Sequence, residues 1–141
     1  MSIKVTTDLA WHGEDVKIRG QKVVGKSAYE IGLAVEGQAK LLTPVISGRL
    51  RGSITTQSAT EGTEVEAPAK PEDKIAKARD VNEVLVGTAV VYGPYIEFGV
   101  LTGSAQPFLR PALDLATGKA IPITQKNAKM EFADYLNPRA S

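Results

Sequence analysis

The sequence predicts an α+β domain, with a long N-terminal helix packed on a small antiparallel β-sheet, a long hairpin or loop, and a C-terminal helix. Three observations carry this. Apolar residues recur at helical spacing between Val24 and Leu42. Two strand-like runs, 50–57 and 83–92, flank a charged stretch. Proline and glycine fall where each of these patterns stops. With 141 residues and 43% hydrophobic content, residues 1–141 form a single domain whose core needs no disulfide or metal.

Residues 3–10 alternate, with Ile3, Val5, Thr7 and Leu9 set against Lys4, Thr6, Asp8 and Ala10, and this predicts a strand. His12 and Gly13 turn the chain, and Glu14 and Asp15 suit the positive end of a helix. The helix covers about 15–42, with Val24, Ala28, Ile31, Val35, Ala39 and Leu42 as its buried stripe. It contains Gly20, Gly25, Gly32 and Gly37, each costing about 1 kcal/mol relative to alanine. Two readings follow: a helix held together by packing, with glycine admitting a close neighbour, or a break near Gly20 or Gly25. Pro44 ends the helix, because a residue before proline is driven out of the α region.

Ser47 and Gly48 form a turn, and 50–57 read as a strand with Leu50, Ile54 and Thr56 on one face. Residues 59–80 lose nearly every apolar side chain larger than alanine and gain proline and charge, so they form a loop or hairpin tip that supplies no core. Residues 83–92 are apolar on both faces, as in a central strand, and pair with 50–57. Gly93-Pro94 breaks this strand, and Tyr95–Phe98 form a short turn or corner ending at Gly99. A helix begins near Ala112 and is interrupted at Gly118. Pro122 opens a last segment with Ala128, Phe132 and Leu136 as its stripe and Met130 nearby, and 137–141 fray after it.

The composition argues against catalysis. There is no cysteine, and His12 is the sole histidine, so thiol chemistry, cysteine zinc sites and multi-histidine metal sites within one chain are excluded. No Walker-type phosphate loop is present. The expectation is a non-enzyme with no catalytic residue, no metal and no cofactor. The net charge of +1 gives no basic excess of the kind nucleic-acid binders carry. No apolar run reaches the roughly 20 residues that span a bilayer, and the first residues lack a signal-peptide core. The expectation is a chain kept in a cytoplasm-like compartment, with no membrane contact.

Two blocks stand out. The first is Thr43-Pro-Val-Ile-Ser-Gly-Arg-Leu-Arg-Gly-Ser-Ile54. The second is Tyr92-Gly-Pro-Tyr-Ile-Glu-Phe-Gly99, followed by Gln106-Pro-Phe-Leu-Arg-Pro-Ala-Leu113. Together, in this order after a long helix, they resemble the gene-product-ten-like neck or tail-completion family of long-tailed bacteriophages. The resemblance covers roughly residues 14–116. It departs at Gly93-Pro94, where the family more often has a small residue after the tyrosine, and in the length of the 59–80 stretch. It implies a virion structural protein of the head–tail junction, made in the host cytoplasm. Such a protein assembles with itself into a ring, a hexamer or dodecamer, between connector and tail-tube proteins and around passing DNA. A head-closure (stopper) ring and a small nucleic-acid-binding module are the alternatives.

The candidate interface or DNA-channel residues are Arg49, Arg51, Glu97, Phe98, Phe108 and Arg110. Arg49 and Arg51 flank Leu50 and are left open between phosphate, a neighbouring subunit and solvent. Glu97, among Tyr95, Ile96 and Phe98, is read as an arginine partner (Arg110 or Arg49) or a backbone cap. Trp11 reads as a core or interface anchor. The basic helix face of Lys17, Arg19, Lys22 and Lys26 would serve the nucleic-acid alternative. The slight acid excess of 59–80 suits a non-gripping channel lining.

Overall fold

The computed structural model describes residues 12–45, 48–100 and 103–136. The expected strand at 3–10, Trp11, Ser47 and the 137–141 tail lie outside the described residues. The fold class is as expected: α-helices packed on a small antiparallel sheet. Helix α1 runs unbroken over Gly13–Leu42, so neither Gly20 nor Gly25 interrupts it. Its first turn carries Glu14 and Asp15, and His12 is its N-cap rather than the middle of a turn. Thr43 caps the C-terminus, its hydroxyl donating to the Ala39 carbonyl at 2.6 Å, and Pro44 follows.

The segment expected to be one strand, 50–57, is instead a short helix and a shorter strand. Gly48, at φ +77°, turns the chain into α2 (Arg49–Ser53), and only Thr55–Gln57 form strand β1. The burial pattern departs from the expectation too. Leu50, Ile54 and the whole run from Gly52 to Ser58 are buried, whereas a strand with one solvated face would expose every second residue. Strand β2 (Leu85–Gly87) pairs antiparallel with β1, Thr56 opposite Val86, which is the expected pairing. Among the described residues the sheet has two strands and none lies on the other side of β2; the strand is also shorter than expected, and Val91 beyond it is 82% exposed.

The stretch between the strands contributes to the interior, contrary to the core-free reading. Asp73, at the end of the 3-10 turn Pro71–Asp73, is buried, as is Ala78. The Glu66 amide donates to the Gly52 carbonyl, and the Ala89 amide to that of Asp73. Helix α3 (Gly93–Phe98) ends at left-handed Gly99, as the corner reading required. Helices α4 (Leu109–Thr117), α5 (Ala120–Glu131) and α6 (Ala133–Leu136) complete the fold. Within α5, Met130 is 60% exposed and does not pack into the core, where Asn127 is buried instead.

Helix α1 is the spine, with the sheet, α4 and α5 all resting on it. Its buried face is Val23, Ser27, Gly32, Val35, Glu36 and Ala39, a stripe that overlaps the expected one but leaves Val24 and Leu42 exposed. Val35 and Ala39 meet Leu50, Ile54, Val90, Phe108, Ala112 and Ala116 in one core. Gly32 explains how the sheet comes so close. A Cβ there would stand 2.7 Å from Thr56 Cγ2 and from Val84 Cγ1. At the other end of α1, Arg19 donates to Asp15, Asp134 and the Glu131 carbonyl, and its guanidinium lies 5.2 Å from the Tyr135 ring centre. These contacts fasten the C-terminal helices to the spine.

Candidate functional site

The two sequence blocks meet in space. Leu50 and Ile54 of the first share the core with Phe108 and Ala112 of the second, and Tyr92 and Ile96 pack against it. Around this shared core each candidate residue has a distinct place.

Glu97 is a helix cap. From α3 its Oε2 accepts hydrogen bonds from the amides of Phe108 (2.7 Å) and Leu109 (3.1 Å), and its Oε1 accepts one from Arg110 (3.1 Å). These are amides that the start of α4 leaves without an intrahelical acceptor, and the carboxylate charge sits at the positive end of the helix. The backbone-cap reading therefore stands and the arginine-partner reading does not. Arg110 engages Glu97 through its amide, and Arg49 is paired elsewhere. The approach depends on Gly99, whose φ of +76° and 2.4 Å clearance from its Cβ position to the Ala105 amide nitrogen both exclude a side chain.

Arg49 grips Asp73 with both arms, Nε to Oδ2 at 2.8 Å and Nη2 to Oδ1 at 2.7 Å. Asp73 Oδ2 also accepts the Lys70 amide, and its side chain is only 4% exposed. The Arg49 guanidinium is the main reason the Asp73 carboxyl is lowered to about 2, with the Lys70 amide assisting against the cost of burial. The pair ties the first block to the stretch between the strands, so Arg49 serves an ion pair inside the chain. Arg51 is exposed. Phe108 is fully buried and belongs to the core, while Phe98 is 64% exposed.

The structure also buries a carboxylate that the sequence pattern does not mark. Glu36 lies on the inner face of α1, 7% exposed. Its Oε2 accepts from the hydroxyls of Thr56 (2.7 Å) and Thr63 (2.8 Å), and Lys40 donates to its Oε1 at 2.8 Å. Lys40 also reaches Glu66 at 2.7 Å. Burial opposes the Lys40 charge, but these two carboxylates outweigh it and raise its pKa. Each member has a structural partner, so this network fixes β1 and its outer neighbour against the spine. The available signal was negative charge at the i+1 position of a helical stripe, which periodicity alone assigns to solvent.

The basic face proposed for nucleic acid is partly neutralised, since Arg19 pairs with Asp15 and Asp134, and Lys22 lies 3.9 Å from Glu131. Among the described residues no group of three or more His, Asp or Glu is placed to hold a metal ion, and no helix is long and apolar enough to cross a membrane.

What the surface offers instead is apolar. A groove of about 500 Å³ runs over α1 between β2 and α4, lined by Ala28, Ile31, Val35, Val84, Val86 and Leu113 with Arg110 at its side. A smaller one of about 250 Å³ lies beside the Glu97 cap, between Pro94, Phe98 and Arg110. Arg110 thus lines both, and Phe98 lines the second. The chain matches no protein-family model, no curated protein and no solved structure.

Proposed function

We propose that the chain is a virion structural protein of the head–tail junction, a neck, tail-completion or tail-terminator component that acts by assembling with itself around the DNA channel. The observation that carries the assembly part is the distribution of apolar side chains. Among the described residues, ten hydrophobic residues are buried, four of them alanines, while eighteen large ones are exposed. Single exposed apolar residues are ordinary. Here they gather in short runs, such as Leu41, Leu42 and Val45 after the spine, and Val91, Tyr95, Phe98 and Val100 around α3. A domain that leaves more large apolar groups outside than inside is built to be covered by neighbours.

The head–tail placement rests on the resemblance of the two blocks. Its support is that both serve as joints, the first turning α1 into the sheet and the second turning the sheet into α4. In this reading the partners are other copies, the adjoining connector and tail-tube proteins, and DNA in passage. The location is the virion neck, after assembly in the host cytoplasm. Light scattering and negative-stain images of the purified chain test the assembly claim. Closed rings with a central channel are expected, and a monomer at every concentration, with no rings formed, would contradict it.

A further inference from the structure

We infer that residues 62–78 form a releasable strap, which opens as one unit while the helical body stays folded and so uncovers the face of β1 that carries Thr55 and Gln57. The inference goes beyond the assembly reading and does not depend on it.

The strap adds little to the apolar core. Of its residues only Asp73 and Ala78 are buried, and its largest apolar side chains, Val65 and Ile75, are half-buried. What fastens it is polar. The Thr63 amide donates to the Thr56 carbonyl at 2.9 Å, the Glu66 amide to that of Gly52 at 2.8 Å, and the Ala89 amide to that of Asp73 at 2.9 Å. The Thr63 hydroxyl donates to Glu36, and the Gln57 side-chain amide to the Thr63 carbonyl at 2.7 Å. Two ion pairs, Lys40–Glu66 and Arg49–Asp73, complete the attachment. Water can take the place of each of these bonds, so each contributes less net than a buried apolar side chain of the core. The Glu66 side chain is 67% exposed, which leaves its pair with Lys40 open to screening by salt.

Closure also strands two polar atoms. Thr56 faces the spine, since its hydroxyl meets the Gly32 carbonyl and Glu36. Its neighbours Thr55 and Gln57 therefore face the other way, and both are fully buried. The strap frames that side, touching Gln57 from Thr63, Gly52 from Glu66 and Ala89 from Asp73. There Thr55 Oγ1 and Gln57 Oε1 are buried with no hydrogen-bond partner among the described residues. Each carries a desolvation cost that a released strap removes, because water then reaches both atoms. The strap is thus held by bonds that water can match and opposed by two atoms that water would satisfy. Such a segment opens at a lower free energy than the whole domain. Opening frees the Gly52 and Thr56 carbonyls together with Thr55 Oγ1 and Gln57 Oε1, a set of acceptors that the closed form hides.

Amide hydrogen exchange of the full-length chain, read residue by residue by NMR, tests this. The amides of Thr63, Glu66 and Ala89 are expected to share one opening constant, at least about tenfold larger than that of Val35 and Ala39 in the spine. Raising the salt from about 0.05 to 1 M should increase it. These two readings need no variant. Thr55→Val keeps the shape of the side chain and removes the unpartnered hydroxyl, and it should lower the same constant by about threefold or more. Strap amides that exchange only together with those of the spine, at one constant, would overturn the strap, since the segment would then open by global unfolding alone. A constant that salt leaves unmoved, or that Thr55→Val fails to lower, would overturn it too.

Discussion

Glu97 shows how a single side chain can govern a whole corner. Its carboxylate is the acceptor for three successive amides, so it sets where α4 starts and how that helix lies against α3. Replacing it with alanine leaves these donors without an acceptor, and the expected cost is about 1–3 kcal/mol of stability. Denaturant unfolding of Glu97→Ala checks this, with Glu97→Gln, which keeps an oxygen acceptor but not the charge, expected to fall between. Asp73 acts at the same scale through its proton. Its folded carboxyl is lowered to about 2 from an unfolded value of 3.8, by Arg49 foremost. A depressed acid stabilises the fold fully above its unfolded pKa, and that contribution disappears as pH falls through the folded one. Stability should therefore drop between about pH 4 and 2, and the Arg49→Met variant should lose part of that drop while being less stable at pH 7. An identical acid profile in the variant would sever the link.

At the scale of elements, Gly32 and Gly37 should respond in opposite directions. A side chain at Gly32 meets Thr56 and Val84, whereas a methyl at Gly37 meets nothing within 4 Å. Gly32→Val is expected to push the sheet off the spine and lower the melting temperature. Gly37→Ala should raise stability by up to about 1 kcal/mol. The spine, the hairpin partners and the Gly99 corner were legible in the sequence because each rests on local signals: a 3.6-residue stripe, β-branched runs, and proline or glycine at a boundary. The α2 helix was not. The strand-like run Ile54-Thr55-Thr56 does lead into β1, but the five residues before it turn into helix after the left-handed Gly48, and the burial of the run from Gly52 to Ser58 is a tertiary fact. Glu97 was legible as a cap but not as the cap of α4, since its partners lie eleven to thirteen residues on. The Glu36 network was invisible for a similar reason, its hydroxyl partners being twenty and twenty-seven residues away.

Taken whole, the molecule uses its polar chemistry to hold itself together and leaves a large share of its apolar side chains exposed. The charged stretch illustrates the first half. Asp73 pairs with Arg49, Glu66 with Lys40 and Glu64 with Lys74. Deleting 62–78 removes all three pairs and the buried Ala78, so a lower melting temperature is expected, measured by calorimetry. An unchanged value would mean that the stretch carries no load. The second half is the exposed groups around α3, which the proposed ring would cover. Electron cryo-microscopy of particles produced from the genome that encodes this chain tests that claim most directly. The account predicts a ring of copies of this fold at the head–tail junction, with the exposed apolar groups around α3 covered by neighbours. Particles whose junction is complete without this chain would contradict it.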